Sequence, residues 1–186
     1  KIFLGPVIVA LSTLAFISIL ISSKEELGAY AVEGLTQTIQ QQQMNFILQE
    51  NISESNFSLG TEFDGSFLGL VKLAPAAITA SLFRPFLWEA KKLSTLLSSI
   101  ESLVLMLLTL YTLYKAGPVN FVGYLFKKPI VTYCFFFAIL FSVFVGSSTL
   151  NFGSLVRYKI PCLPFYAVSM FLILYFEKLK KANALG

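Results

Sequence analysis

Histidine is absent from the 186 residues, cysteine occurs twice, and charged side chains make up only 13% of the chain. Without histidine the chain lacks the commonest metal ligand and the usual general base near neutral pH. Two cysteines are too few for a disulfide framework or a zinc centre. An average soluble domain is about 25% charged. Half that charge leaves too little polar surface to cover a globule of this size. A soluble enzyme, a disordered tail and a disulfide scaffold are therefore poor fits. What is present is apolar: 56% hydrophobic residues, 19 of them Phe, with a mean hydropathy of +0.75. The composition predicts an all-α, polytopic transmembrane protein. The net charge of +4 reads as topological, with no nucleic-acid partner. The chain begins at Lys1, with no small-residue cleavage pattern closing the first apolar run.

Four spans are expected. Ile2 to Ser23 is free of charge and long enough to cross about 30 Å of hydrocarbon. Leu93 to Tyr114 holds one charge, Glu101. Pro129 to Val156 holds none, and about 20 of its residues suffice for a third span. Ile160 to Phe176 is a short fourth, with Pro161 and Pro164 at its start. Ala116 to Phe126, around Gly117-Pro118, reads as a loop, and Glu177 to Gly186 as a basic tail.

The chain divides into span one (1–23), an outward amphipathic region (24–92) and spans two to four with the tail (93–186). In 24–49, Leu27, Ala31, Leu35 and Ile39 recur every four residues, a helical stripe too polar to span. The glutamine run 40–43 is read as helix. Residues 50–66 read as a loop. Asn51-Ile52-Ser53 and Asn56-Phe57-Ser58 match the glycosylation sequon, as chance would provide in such a stretch. Residues 67–92 suit one or two interfacial or re-entrant helices, with a full extra span as the alternative. Pro75 is placed in a first turn, and Arg84-Pro85 as a stop, because the residue before proline is pushed out of the α region.

With four spans, Lys1, Lys115, Lys127, Lys128 and the three tail lysines share one side. Weighting the charge rule to short loops puts both termini in the cytoplasm of a bacterial inner membrane and 24–92 outside. Cys134 and Cys162 then lie at opposite membrane faces, as free, buried thiols.

Three groups could carry chemistry. Glu101, with the helically spaced Ser98 and Ser102, is either a polar site facing a cavity or glue between helices. Arg157, Tyr158 and Lys159 precede a helix start, where basic groups can hold phosphate; interfacial anchoring is the other reading. Arg84, near Trp88, Lys91 and Lys92, is an anchor or a headgroup contact. No nucleotide loop, catalytic triad or metal spacing is present, so no cofactor is expected and the catalytic residues are unknown.

Two stretches carry a resemblance: Leu82-Phe83-Arg84-Pro85-Phe86-Leu87-Trp88-Glu89-Ala90 with Ser98-Ser99-Ile100-Glu101-Ser102, and Asn151 to Phe165 with its Arg157-Tyr158 and Pro161-Cys162-Leu163-Pro164. They resemble the C-terminal part of uncharacterised bacterial polytopic membrane proteins. Those are similar to polyprenyl-phosphate-sugar glycosyltransferases and O-antigen-type assembly proteins. The resemblance implies the membrane part of a protein handling lipid-linked glycans, its catalytic residues preceding this chain. Its partners would be the bilayer, a polyprenyl-phosphate-linked sugar and other membrane subunits. Arg157 and Lys159 would face phosphate, with Arg84 as a second contact. The alternative is a non-enzymatic helical subunit of a membrane complex.

Overall fold

The structure, a computed structural model, describes Ser18 and residues 32–48, 55–60 and 63–183. The expected first span, the stripe positions Leu27 and Ala31, and the Asn51 sequon lie outside the described residues. The described chain is helical: α1 (Val32–Leu48), α2 (Phe67–Phe83), α3 (Leu93–Lys127), α4 (Pro129–Ser148), α5 (Phe152–Tyr158) and α6 (Cys162–Asn183). Among the described residues the one extended pairing is an isolated bridge, Asn56 to Asn151.

Helices α3, α4 and α6 are long and apolar enough to cross a membrane. Their mutual contacts fix the directions. Thr109 meets Tyr166 at 2.9 Å and the Lys115 carbonyl accepts from Lys181 at 3.3 Å, so α3 and α6 descend together. Ser142 meets Cys162, and Phe135 meets Tyr166, so α4 runs the other way. Both cysteines are free and buried. Between the three helices, Leu105, Ala116, Val131, Ala138, Met170 and Ile173 form the main core.

Three expected boundaries shift. The segment 116–126 is helical rather than a loop. Gly117 (φ 73°) breaks the dihedrals of α3, and Pro118 begins a new helical stretch. Proline suits that first position because its missing N–H is one the helix start leaves unbonded anyway. Second, Pro75 lies in the middle of α2 rather than in its first turn. The start is set earlier by Ser66, whose Oγ accepts from Gly69 N at 2.8 Å. The Asp64 carboxylate in turn holds Ser66 N and Oγ. These bonds hold the Asp64 carboxyl below the ordinary carboxylate range. Third, the tail is helical as far as Asn183. Glu177 is buried there, bonded to Tyr124 and ion-paired with Lys181.

Two shorter helices flank the bundle's upper end. At 17 residues, α2 is about 25 Å long at 1.5 Å per residue. It runs antiparallel to α4, since Ser81 donates to Ser142 O at 2.8 Å while Ala77 faces Gly146. Arg84 is extended (φ −100°, ψ 155°) and ends α2 before a cis Pro85, as the proline rule requires. The stretch ahead of the expected fourth span holds a two-turn helix, α5. Asn151 caps it, its Oδ1 accepting from Gly153 N and Ser154 N. Helix α1 includes the glutamine run and buries Ile39 with Phe63, Leu70 and Leu73. Gln43 is buried too, donating to Ser147 O at 2.6 Å.

A Cβ on Gly146 would stand 2.1 Å from Ala77 O, a backbone atom that cannot move alone. Gly146→Ala is expected to separate α2 from α4 and cost about 1–3 kcal/mol of overpacking. A lowered melting temperature in detergent checks this. A control such as Gly123→Ala, where no atom lies within 4 Å of the new Cβ, stays within about 1 kcal/mol from helix propensity alone.

Candidate functional site

Helices α2 and α5 both end on a cation, and the two ends meet. Helix α2 stops at Arg84 and α5 at Lys159. The Lys159 side chain is fully buried. Its Nζ donates to Ser102 Oγ at 2.8 Å and to the Arg84 carbonyl at 3.2 Å. Ser102 donates to the same carbonyl at 3.1 Å. The ammonium therefore sits at the C-terminal end of α2, where the helix dipole favours a positive charge. No carboxylate lies within salt-bridge distance of it among the described residues. Burial pushes the Lys159 ammonium down from its ordinary range, and the charge of Glu101 partly offsets this.

The Arg84 guanidinium points away from this junction. Its Nε lies 3.0 and 3.1 Å from the two Glu89 carboxylate oxygens, and a terminal nitrogen contacts the same group. Another nitrogen donates to Ser58 O at 3.2 Å. Phe57 and Phe152, stacked at 4.5 Å, bring their faces to 4.4 and 5.2 Å from the guanidinium carbon. Glu89 also accepts from Phe86 N at 2.8 Å, which fixes the turn 86–89. Each of the three guanidinium nitrogens of Arg84 thus donates to protein.

Burial separates the polar residues on α3. Ser98 and Ser102 face inward, as the spacing suggests, but Glu101 is exposed and does not share their environment. At 100° per residue, position 101 is turned a quarter-circle away from 102. Arg157 and Tyr158 are exposed, with Arg157 Nε donating to Gly153 O at 3.0 Å. The structure therefore brings Arg84, Ser102 and Lys159 together and leaves Arg157, Tyr158 and Glu101 outside. Glu89, Phe57 and Phe152 were missed from sequence. The spacing of Arg84 and Glu89 across a proline turn was the available signal; the stacking of Phe57 on Phe152 had none.

A lysine bonded to a serine is an arrangement that can activate the hydroxyl in Ser-Lys nucleophiles. Here Ser102 is fully buried, its proton is given to a carbonyl, and neither large cavity touches it. The pair is a tether between α2, α3 and α5. The larger cavity, about 720 Å³, lies between α1 and 55–60 and is lined by Gln40, Gln43, Met44, Ile47, Asn56, Phe57 and Ser58, among others. It shares Phe57 with the Arg84 stack. A smaller one, about 280 Å³, is bordered by Gln42, Asn45, Ser148, Thr149 and Tyr158. Asn56, the sequon asparagine, donates its Nδ2 to Phe46 O and accepts from Asn151, so its amide serves the fold. No group of three or more metal-ligating side chains occurs among the described residues. No protein-family model, curated protein or solved structure matches the chain.

Two substitutions separate a tether from a reactive pair. Ser102→Ala leaves the buried ammonium with one acceptor and is expected to cost about 1–3 kcal/mol. Lys159→Met removes the buried charge along with its need for partners and is expected to be nearly neutral. The pH dependence follows with a definite sign. The unfolded chain keeps this proton up to the ordinary 10.5, whereas the folded chain releases it earlier. Between those two points the unfolded state binds more protons, so stability rises with pH. Denaturation against pH should show that rise in the wild type and lose it in Lys159→Met.

Proposed function

We propose that this chain is the membrane-embedded part of a protein that handles lipid-linked glycans, holding a polyprenyl-phosphate-linked sugar at the end of the bundle formed by α1, α5 and 55–60. The observation that carries this reading is the position of Arg157 and Tyr158. Tyr158 is an exposed phenol bordering a cavity that abuts the end of spanning helix α4, and the exposed cation Arg157 is its neighbour in the chain. The cavity is lined mainly by polar side chains, Gln42, Asn45, Ser148 and Thr149, with Phe46 beside them, and so offers polar recognition of a headgroup at the membrane end of α4. Arg84 and Lys159 enter the reading differently from Arg157. Their nitrogens are each bonded to protein, so they shape the rim, and phosphate contact falls to Arg157 and Tyr158. In this reading the protein sits in a bacterial inner membrane with the lysine-rich end in the cytoplasm and the α1 end outside.

Binding of polyprenyl phosphate to the purified chain in detergent tests the proposal. The wild type should bind, and Arg157→Gln with Tyr158→Phe should weaken binding about tenfold, the worth of a hydrogen bond to a charged group. No wild-type binding, or unchanged binding in the double variant, removes it.

Glu101 favours a second reading, a non-enzymatic subunit of a membrane complex. Its carboxylate is exposed between the exposed Leu97, Ile100 and Val104. An acid on an apolar helix face is costly unless a partner helix supplies donors. Under this reading Glu101→Leu releases a co-purifying membrane protein that Arg157→Gln retains. Co-purification unaffected by Glu101→Leu counts against it.

A further inference from the structure

The opposite end of the bundle carries a separate feature. Beyond Gly117, residues 118–127 do not continue along the bundle axis. Lys115, Asn120, Tyr124 and Lys128 meet Lys181, Lys180, Glu177 and Phe176 in turn. Ten helical residues, about 15 Å, are thus laid against a stretch of α6 only about 7.5 Å long. The segment must lie across the ends of the helices. It buries Phe121 and Leu125 and turns Val119, Val122 and Phe126 outward, at 83%, 50% and 70% exposure. Those three positions, spaced by three and four, form one continuous edge.

Around this edge the charge has one sign. Lys115, Lys127, Lys178, Lys180 and Lys181 are exposed, and Lys128 stands 4.6 Å over the Phe176 ring. The acid at this end, Glu177, is buried and already holds Lys181 and the Tyr124 hydroxyl. An apolar edge within a cationic rim, lying across the end of a membrane-spanning bundle, is complementary to a leaflet surface bearing negative headgroups.

We infer that residues 118–127 and the surrounding lysines form a docking surface for anionic phospholipid headgroups, with Val119, Val122 and Phe126 inserted among the acyl chains. The bound chemistry is a phosphodiester carrying net negative charge. A zwitterionic headgroup satisfies the apolar edge but leaves the lysines unmatched. The surface lies at the far end of the bundle from Arg157 and Tyr158 and stands apart from the glycan-lipid proposal.

Native mass spectrometry of the full chain released from nanodiscs, made of an equal mixture of phosphatidylcholine and phosphatidylglycerol, tests the inference. Retained lipid should be enriched several-fold in phosphatidylglycerol. Lys127→Gln, Lys178→Gln and Lys180→Gln together should return it to the bulk ratio, whereas the matching arginine variants should keep the enrichment. Insertion is read separately. Trp88 is the one tryptophan in the sequence, so Phe126→Trp in a Trp88→Phe background reports this position alone. Its fluorescence should be quenched by lipids brominated near the headgroup end of the chain and not by aqueous iodide. Equal retention of the two lipids, enrichment that survives the glutamine variants, or iodide quenching of the new tryptophan would each overturn the inference.

Discussion

The bonds at the Arg84 carbonyl hold together the upper end of the molecule. Helix α2 stops there because a proline follows, and its last carbonyls need donors in a place with little water. Lys159 supplies one from the end of α5 and Ser102 another from the third turn of α3. Three segments far apart in sequence are thereby fixed to one oxygen. Arg84 contributes its backbone to this junction and its side chain to another. There Glu89, Phe57 and Phe152 lock the loops above. Among the described residues no carboxylate pairs with the buried lysine, and the end of α2 and the serine hydroxyl stand in for one.

Composition and helical length made the fold class readable from the residues. Charge-free runs at 129–156 and 160–176 are long enough to cross a bilayer as helices, and α4 and α6 are found there. The boundaries followed less readily because they depend on tertiary partners. Glu177 looked like the start of a solvated tail, yet Tyr124 and Lys181 supply its partners and the helix runs on. Gly117-Pro118 looked like a loop because these residues terminate helices, but Pro118 also starts one. Pro75 looked like a helix start until the Asp64–Ser66 cap, two turns earlier, took that role.

The candidate site was legible as residue types and not as roles. Arg84, Ser102 and Lys159 stood out as polar groups in an apolar chain, and the structure joins them. A single sequence does not show which way each points. Lys159 and Arg157 are two residues apart near the end of α5, so one faces inward and the other outward. A quarter-turn separates Glu101 from Ser102. Such phase differences are set by which face of a helix packs, which depends on neighbours distant in the chain.

The contact between Gly146 and Ala77 has a mechanical consequence. Where a glycine lets one helix rest directly on another's backbone, no layer of side chains lies between to re-pack. Compliance between packed helices comes mainly from rotamer changes in that layer, and α2 and α4 lack it at this point. The pair is therefore stiff at this contact. A displacement of α2 at Ala77 is thus passed to α4 at Gly146, close to that helix's C-terminal end.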